Sequence, residues 1–207
     1  MTRFAILAYD GIEPIDIGAT YGVLSMAKRI VPDLSFHVVS RAGGEIVMAN
    51  GLRLIADHGF DEAPAADILM VLGGPGWSQA TEDRALLDHI RAFHAGGGTV
   101  AAVCTGGMIL AATGLLDGRR ATTKREIVPG EARPLDLLAE RHGAVETVEA
   151  RLVDEGDVLT GGGVSLGMDM TLHLIARECG AEAAAETARI LEYTTAWEAN
   201  RRSFAAV

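Results

Sequence analysis

Cys104 is the side chain in this sequence best placed to act as a nucleophile, because it sits at a joint. Residues 98–103 are a short apolar run opened by glycine, the pattern of a buried strand in a parallel sheet. From Met108 onward the pattern turns helical, and Gly106 and Gly107 give the backbone room to turn sharply. A thiol at a strand-to-helix turn points out of the sheet's carboxyl edge, towards the free N–H groups and positive end of the helix. Those conditions lower a cysteine pKa and favour the thiolate. The plainer reading is a small buried filler, a common place for a free cysteine. A thiolate nucleophile also needs a proton donor and somewhere for developing negative charge. The Gly73-Gly74 turn has no side chains to cover its N–H groups, so the Gly74 and Thr105 backbones are expected to form an anion-stabilising pocket. The Thr105 hydroxyl adds a movable donor.

These residues can act together only if separate segments meet at one edge. A first strand is expected over 3–9, closed by the Asp10-Gly11 turn signal. A helix follows from about Glu13 to Lys28, with Pro14 suited to its first turn and acids favouring its dipole there. Further strands read at 35–40 and 67–72, with a hairpin near 46–56 at the sheet edge. A helix over 82–95 carries Leu86, Leu87, Ile90 and Phe93 at helical spacing. The helix after Cys104 is expected to reach 115 or 116, followed by a short strand over 121–123 and a helix over 134–142. Residues 154–157 read as a hairpin turn, and two helices follow over 165–178 and 181–193. The last ten residues carry no pattern. The βα alternation specifies an α/β fold: a flavodoxin-like, mostly parallel sheet with helices on both faces and ligands beyond the carboxyl ends of its strands. The segments 10–16, 73–76 and 104–105 all fall on that edge. The chain reads as one domain, 1–207.

With 207 residues and 49% apolar content, the chain can bury a sizeable core. Its net charge of -10 argues against a nucleic-acid partner. No apolar run approaches membrane-spanning length. Cys104 and Cys179 make neither a disulfide framework nor a metal-ligand spacing, which suits a cytoplasmic protein with reduced thiols. His37, His58, His89, His94 and His142 are scattered, so no metal site is expected. The methionines read as core filler, and Gly161-Gly162-Gly163 as a tight loop near the pocket.

Four motifs then carry a resemblance. Leu72-Gly73-Gly74, Val103-Cys104-Thr105-Gly106, Ala121-Thr122-Thr123 and Leu159-Thr160-Gly161-Gly162-Gly163 occur in the order seen in the ThiJ/PfpI superfamily, also called DJ-one/PfpI. The resemblance spans 3 to about 193 and implies a fold like the class I glutamine amidotransferases, with a nucleophile-elbow cysteine. Asp16 falls where that superfamily places an acid beside its cysteine. Asp16, Cys-Thr-Gly at the elbow and no added DNA-binding domain look like the isocyanide hydratase branch. That resemblance implies a cofactor-independent enzyme in which Cys104 attacks the isocyanide carbon to give a thioimidate. Asp16 then supplies the proton and helps activate water, releasing an N-substituted formamide. A carboxyl near a thiolate has its neutral form favoured by repulsion and burial, which suits the acid role. An acid in a first helical turn is equally ordinary dipole chemistry, and Glu13 is a neighbour that could partner Cys104 instead.

The sequence also departs from the superfamily's patterns. Protease-like members place a histidine directly after the cysteine, where this chain has Thr105. The amidotransferases finish a triad with a late His-x-Glu spacing, which His173 does not meet, so His173 is read as part of a helix face. Hydratase-like relatives often have histidine after Ala-Thr-Thr, where Lys124 stands. The alternatives are a glyoxalase- or deglycase-type enzyme, and a non-enzymatic redox or small-molecule sensor. A small-molecule substrate, a homodimer, and no nucleic-acid or membrane partner complete the expectation. Trp197 and Phe204 are candidates to pack on a second subunit.

Overall fold

The structure is a computed structural model that describes residues 1–204 and 206–207. Its strands are β1 (Arg3–Leu7), β2 (Ser35–Ser40), β3 (Ala42–Val47), β4 (Arg53–Gly59), β5 (Ile68–Val71), β6 (Thr99–Val103), β7 (Arg120–Ala121), β8 (Glu146–Thr147), β9 (Leu152–Asp154) and β10 (Val158–Gly161). Eight of them form one sheet in the order β3-β4-β2-β1-β5-β6-β10-β9. The central strands β2, β1, β5, β6 and β10 are all parallel, and taken alone they read 2-1-3-4-5, the flavodoxin-like order. β3 and β9 join antiparallel at the two edges, as the hairpins at 46–56 and around 154–157 led one to expect. The short β7 and β8 pair with each other in a separate parallel ladder.

The centre of the sheet is apolar because both of its faces are covered. Every residue of β5 and β10 is buried, and so are all but the first of β1 and β6. Each such Val, Leu or Ile contributes about 1.5–3 kcal/mol of transfer free energy. The helices are α1 (Pro14–Ile17), α2 (Val23–Ala27), α3 (Trp77–Ala80), α4 (Arg84–Ala95), α5 (Gly106–Ala112), α6 (Pro134–Arg141), α7 (Leu166–Cys179), α8 (Ala181–Ile190) and α9 (Thr194–Ser203). α2, α7 and α8 pack together as one group, and α5 packs with α3, α4 and α6 as another.

The differences from the sequence reading have local causes. The helix expected over 13–28 is α1 and α2 joined by a wide, π-type turn at Gly18–Gly22. α4 starts later than expected, at Arg84, because the Asp83 carboxylate accepts the Ala85 and Leu86 N–H groups as an N-cap. α5 is shorter than expected, and Thr113 ends it by turning its hydroxyl back to the Leu110 carbonyl at 2.6 Å. The tail is not patternless, since α9 occupies most of it. Trp197 packs against the chain's own core, and Phe204 lies under the Arg125 guanidinium at 4.5 Å, so both rings are engaged within the chain.

Candidate active site

Cys104 follows the last residue of β6 with φ 56, a left-handed conformation that costs a non-glycine residue of order 1–3 kcal/mol. Its backbone is pinned at both ends. The Cys104 N–H donates to the Gly162 carbonyl at 3.1 Å, and its carbonyl accepts the Thr123 hydroxyl at 2.6 Å. Thr122 fixes the same segment, its N–H donating to Thr160 Oγ1 at 2.9 Å. The Ala-Thr-Thr and Leu-Thr-Gly motifs thus hold the elbow. Gly106 is required by close packing, because a Cβ there would lie 2.2 Å from the Val71 carbonyl oxygen.

Asp16 is completely buried in α1, and its Oδ2 accepts the Gly73 N–H at 2.9 Å. Among the described residues Oδ1 has no conventional hydrogen-bond partner, and the thiol of Cys104 interacts with this carboxyl. Burial pushes the Asp16 pKa up to about 7; the Gly73 N–H, the Cys104 thiol and the charge of Lys124 oppose that rise, while Glu13 adds to it. Burial also pushes Cys104 up, to about 12, with the negative charge of Asp16 adding to it. Two N–H donors, of Val164 and Thr105, favour the thiolate but do not outweigh those effects. The expectation of a lowered thiol pKa is therefore corrected: burial and the neighbouring Asp16 charge push the Cys104 thiol up, and near neutral pH the coupled pair shares a proton.

Of the two candidate acids, Asp16 is the one coupled to Cys104. Glu13 instead lines a cavity of about 820 Å³, and Cys104 opens onto the same cavity. Its apolar walls include Ile15, Trp77, Leu137 and Leu166. Lys124 is also on the wall, with its ammonium donating to the Glu126 carbonyl. Among the described residues no histidine lines the cavity, and no group of three potential metal ligands occurs. His173 lies elsewhere, half-buried against Asp154 at 2.7 Å.

The expected anion pocket is not open in this form. The Gly74 N–H donates to Thr105 Oγ1 at 2.9 Å, and the same hydroxyl faces the Gly74 carbonyl at 3.3 Å. Thr105 therefore latches the loop after β5 onto the elbow, while its N–H goes to the sulfur. Two contributors escaped the sequence reading. Tyr9, at the end of the first strand run, donates its buried hydroxyl to the Leu72 carbonyl at 3.0 Å, and burial with the charges of Asp16 and Cys104 raises its pKa. Val164 supplies a sulfur ligand from a left-handed backbone, φ 58. The glycine run before it was the available signal, but a β-branched residue gives no hint of that conformation.

A flavodoxin-like sheet that carries a left-handed cysteine beside a buried carboxyl, at the floor of a cavity, defines an elbow-cysteine α/β protein. The chain belongs to the DJ-1/PfpI family, whose pattern it matches over residues 2–177. It is 33% identical to isonitrile hydratase of Pseudomonas putida over 94% of its own length and 79% of that protein's. It is 32% identical to the HTH-type transcriptional regulator GbdR of Pseudomonas aeruginosa over 90% of its length, spanning about half (49%) of the regulator. A ThiJ/PfpI family protein from Pseudomonas syringae has a similar structure, with TM-score 0.80 at 26% identity, covering 93% of this chain and 75% of that one.

Proposed function

We propose that this chain is a cofactor-independent cysteine enzyme that hydrates isocyanides to N-substituted formamides. The observation that carries the reading is the Asp16–Cys104 pair, with an acid of pKa about 7 against a thiol at the cavity floor. The similarity to isonitrile hydratase, at 33% over 94% of the chain, supports the substrate class. As sulfur bonds to the terminal isocyanide carbon, its proton passes to the Asp16 carboxylate. Asp16 returns that proton to the same carbon, leaving a thioimidate, S–CH=N–R. Water then adds to this carbon, its second proton reaching nitrogen through Asp16. The C–S bond breaks as the hydroxyl becomes a carbonyl, and the hydroxyl proton returns to the pair. The net reaction adds one water to R–NC and gives R–NH–CHO. Thr105, Gly74 and Glu13 stand around the reacting centre, and Gly74 becomes an anion donor once its link to Thr105 opens.

Incubation with cyclohexyl isocyanide, followed by NMR for N-cyclohexylformamide, tests this. Formamide should accumulate, and both Cys104→Ala and Asp16→Asn should abolish turnover. The step needs Asp16 ionised as the thiol proton leaves, so kcat/KM should rise with pH through about 7. Isocyanide left unchanged by the native protein defeats the reading. A glyoxalase- or deglycase-type site is disfavoured by a cavity without histidine among its described lining residues. A ligand sensor is the second reading, favoured by the 32% identity to half of a transcription regulator. A sensor would tolerate Asp16→Asn. The enzyme reading goes with a single domain, 1–207, acting in the cytoplasm as a homodimer on a small molecule. No described helix is long and apolar enough to cross a membrane.

A further inference from the structure

A buried polar cluster beside the site is not accounted for by the chemistry above. Asp169, in the first turn of α7, is completely buried, and its Oδ1 accepts Arg151 Nη1 at 3.0 Å. Its Oδ2 accepts both the Tyr193 hydroxyl and Asn200 Nδ2, each at 2.9 Å. Asn200 Nδ2 also reaches the Tyr193 oxygen at 3.0 Å. Arg151 is buried too, and its Nε has no partner among the described residues. Such a pair is an inefficient way to stabilise a core, since burying both charges cancels much of their attraction. Packing alone would be served as well by apolar side chains.

What the cluster does hold is the loop that touches the cysteine. The Arg151 carbonyl accepts the Gly162 N–H at 2.9 Å, and the Gly162 carbonyl accepts the Cys104 N–H. Tyr193 faces the Ser165 carbonyl at 3.5 Å. The Gly162 end of the segment 162–165 is therefore tied to the backbone of a cluster residue, and its Ser165 end lies against Tyr193. Between them stands Val164, held left-handed, its backbone N–H favouring the Cys104 thiolate. A β-branched residue keeps that conformation only where its surroundings enforce it. Tyr193 and Asn200 come from the C-terminal segment, beyond residue 177, where the family match ends.

We infer that Asp169, with Arg151, Tyr193 and Asn200, forms a positioning cluster that fixes the Val164 N–H on the Cys104 sulfur and so sets the reactivity of that thiol. The inference rests on reading Cys104 as the reactive group, but formamide production plays no part in its test, so the two can fail separately. The test is the pH profile of alkylation by iodoacetamide, with Cys104 and Cys179 quantified separately by peptide mass spectrometry. Asp169→Asn leaves the Arg151 charge buried without its partner and risks unfolding, so Tyr193→Phe and Asn200→Ala carry the test. Losing the Val164 donor destabilises the thiolate. The Cys104 profile should move to higher pH by about one unit, a roughly tenfold slower reaction at fixed pH, with Cys179 unchanged. A Cys104 profile identical to the native one in both variants overturns the inference. So does a change shared equally by the two cysteines, which would mark a cluster serving only the fold, or a native Cys104 that the reagent does not modify.

Discussion

Asp16 is a carboxyl that folding makes harder to ionise, and this has a consequence for stability that can be measured apart from catalysis. Its pKa rises from 3.8 to about 7 on burial, so the folded state holds the proton more tightly than the unfolded chain. The resulting stabilisation is complete below about pH 4 and is lost as pH rises through about 7, amounting to a few kcal/mol at ~1.4 kcal/mol per pKa unit. Asp16→Asn has no such proton, and its side-chain oxygen can still accept the Gly73 N–H. Its Tm relative to the native protein should therefore climb between pH 5 and pH 8; a constant difference would mean that Asp16 does not titrate in this range. Thr105 allows a complementary measurement. Thr105→Val leaves the buried Gly74 N–H without an acceptor, at a cost of about 1–3 kcal/mol, whereas Thr105→Ser keeps the hydroxyl. Urea midpoints should order native, Ser, Val, with most of the loss at Val.

At the scale of elements, the turn after β6 depends on how closely backbones approach. α5 starts so near the end of β5 that a Cβ at Gly106 would sit 2.2 Å from the Val71 oxygen. Gly106→Ala must push the helix off the sheet and should cost more than about 3 kcal/mol, at the severe end of single substitutions. The same change at Gly22 should act in the opposite direction. That residue already has helical φ and ψ of -61 and -43, and no atom of the described residues lies within 4 Å of its Cβ position. Alanine there restricts the unfolded chain and should gain about 0.4–1 kcal/mol. Chemical denaturation of both variants checks the pair, and equal effects would contradict the packing described. The glycine pair after Cys104 marked this elbow in the sequence, because a sharp turn needs that composition wherever it occurs. What composition could not convey was state: the ionisation of Cys104 depends on burial and on a carboxyl 88 positions away (104 minus 16), and no local pattern reports either.

For the molecule as a whole, the site is the product of sheet order. Strand direction reverses its progress between β1 and β5, and the loops leaving β1, β5, β6 and β10 meet at that edge with Asp16, Gly73, Cys104 and Val164. The order of apolar runs and glycine turns made this architecture legible, since buried parallel strands must be continuous and apolar. The Asp169 cluster was not legible, because its four members come from β9's approach, α7, the turn after α8 and α9, with nothing periodic linking them. The same topology predicts where the fold is weakest. β1, β5 and β6 are paired on both sides and almost wholly buried, so their amides can exchange only when the sheet itself opens. β3 is an edge strand with one buried residue, left-handed glycines at Gly43 and Gly44, and a register shift between Ala42 and Gly44. Its amides should exchange through local opening, faster than those of the central strands by an order of magnitude or more. Hydrogen–deuterium exchange read by mass spectrometry resolves these segments, and a β3 protected as strongly as β1 would show that another surface covers that edge in solution.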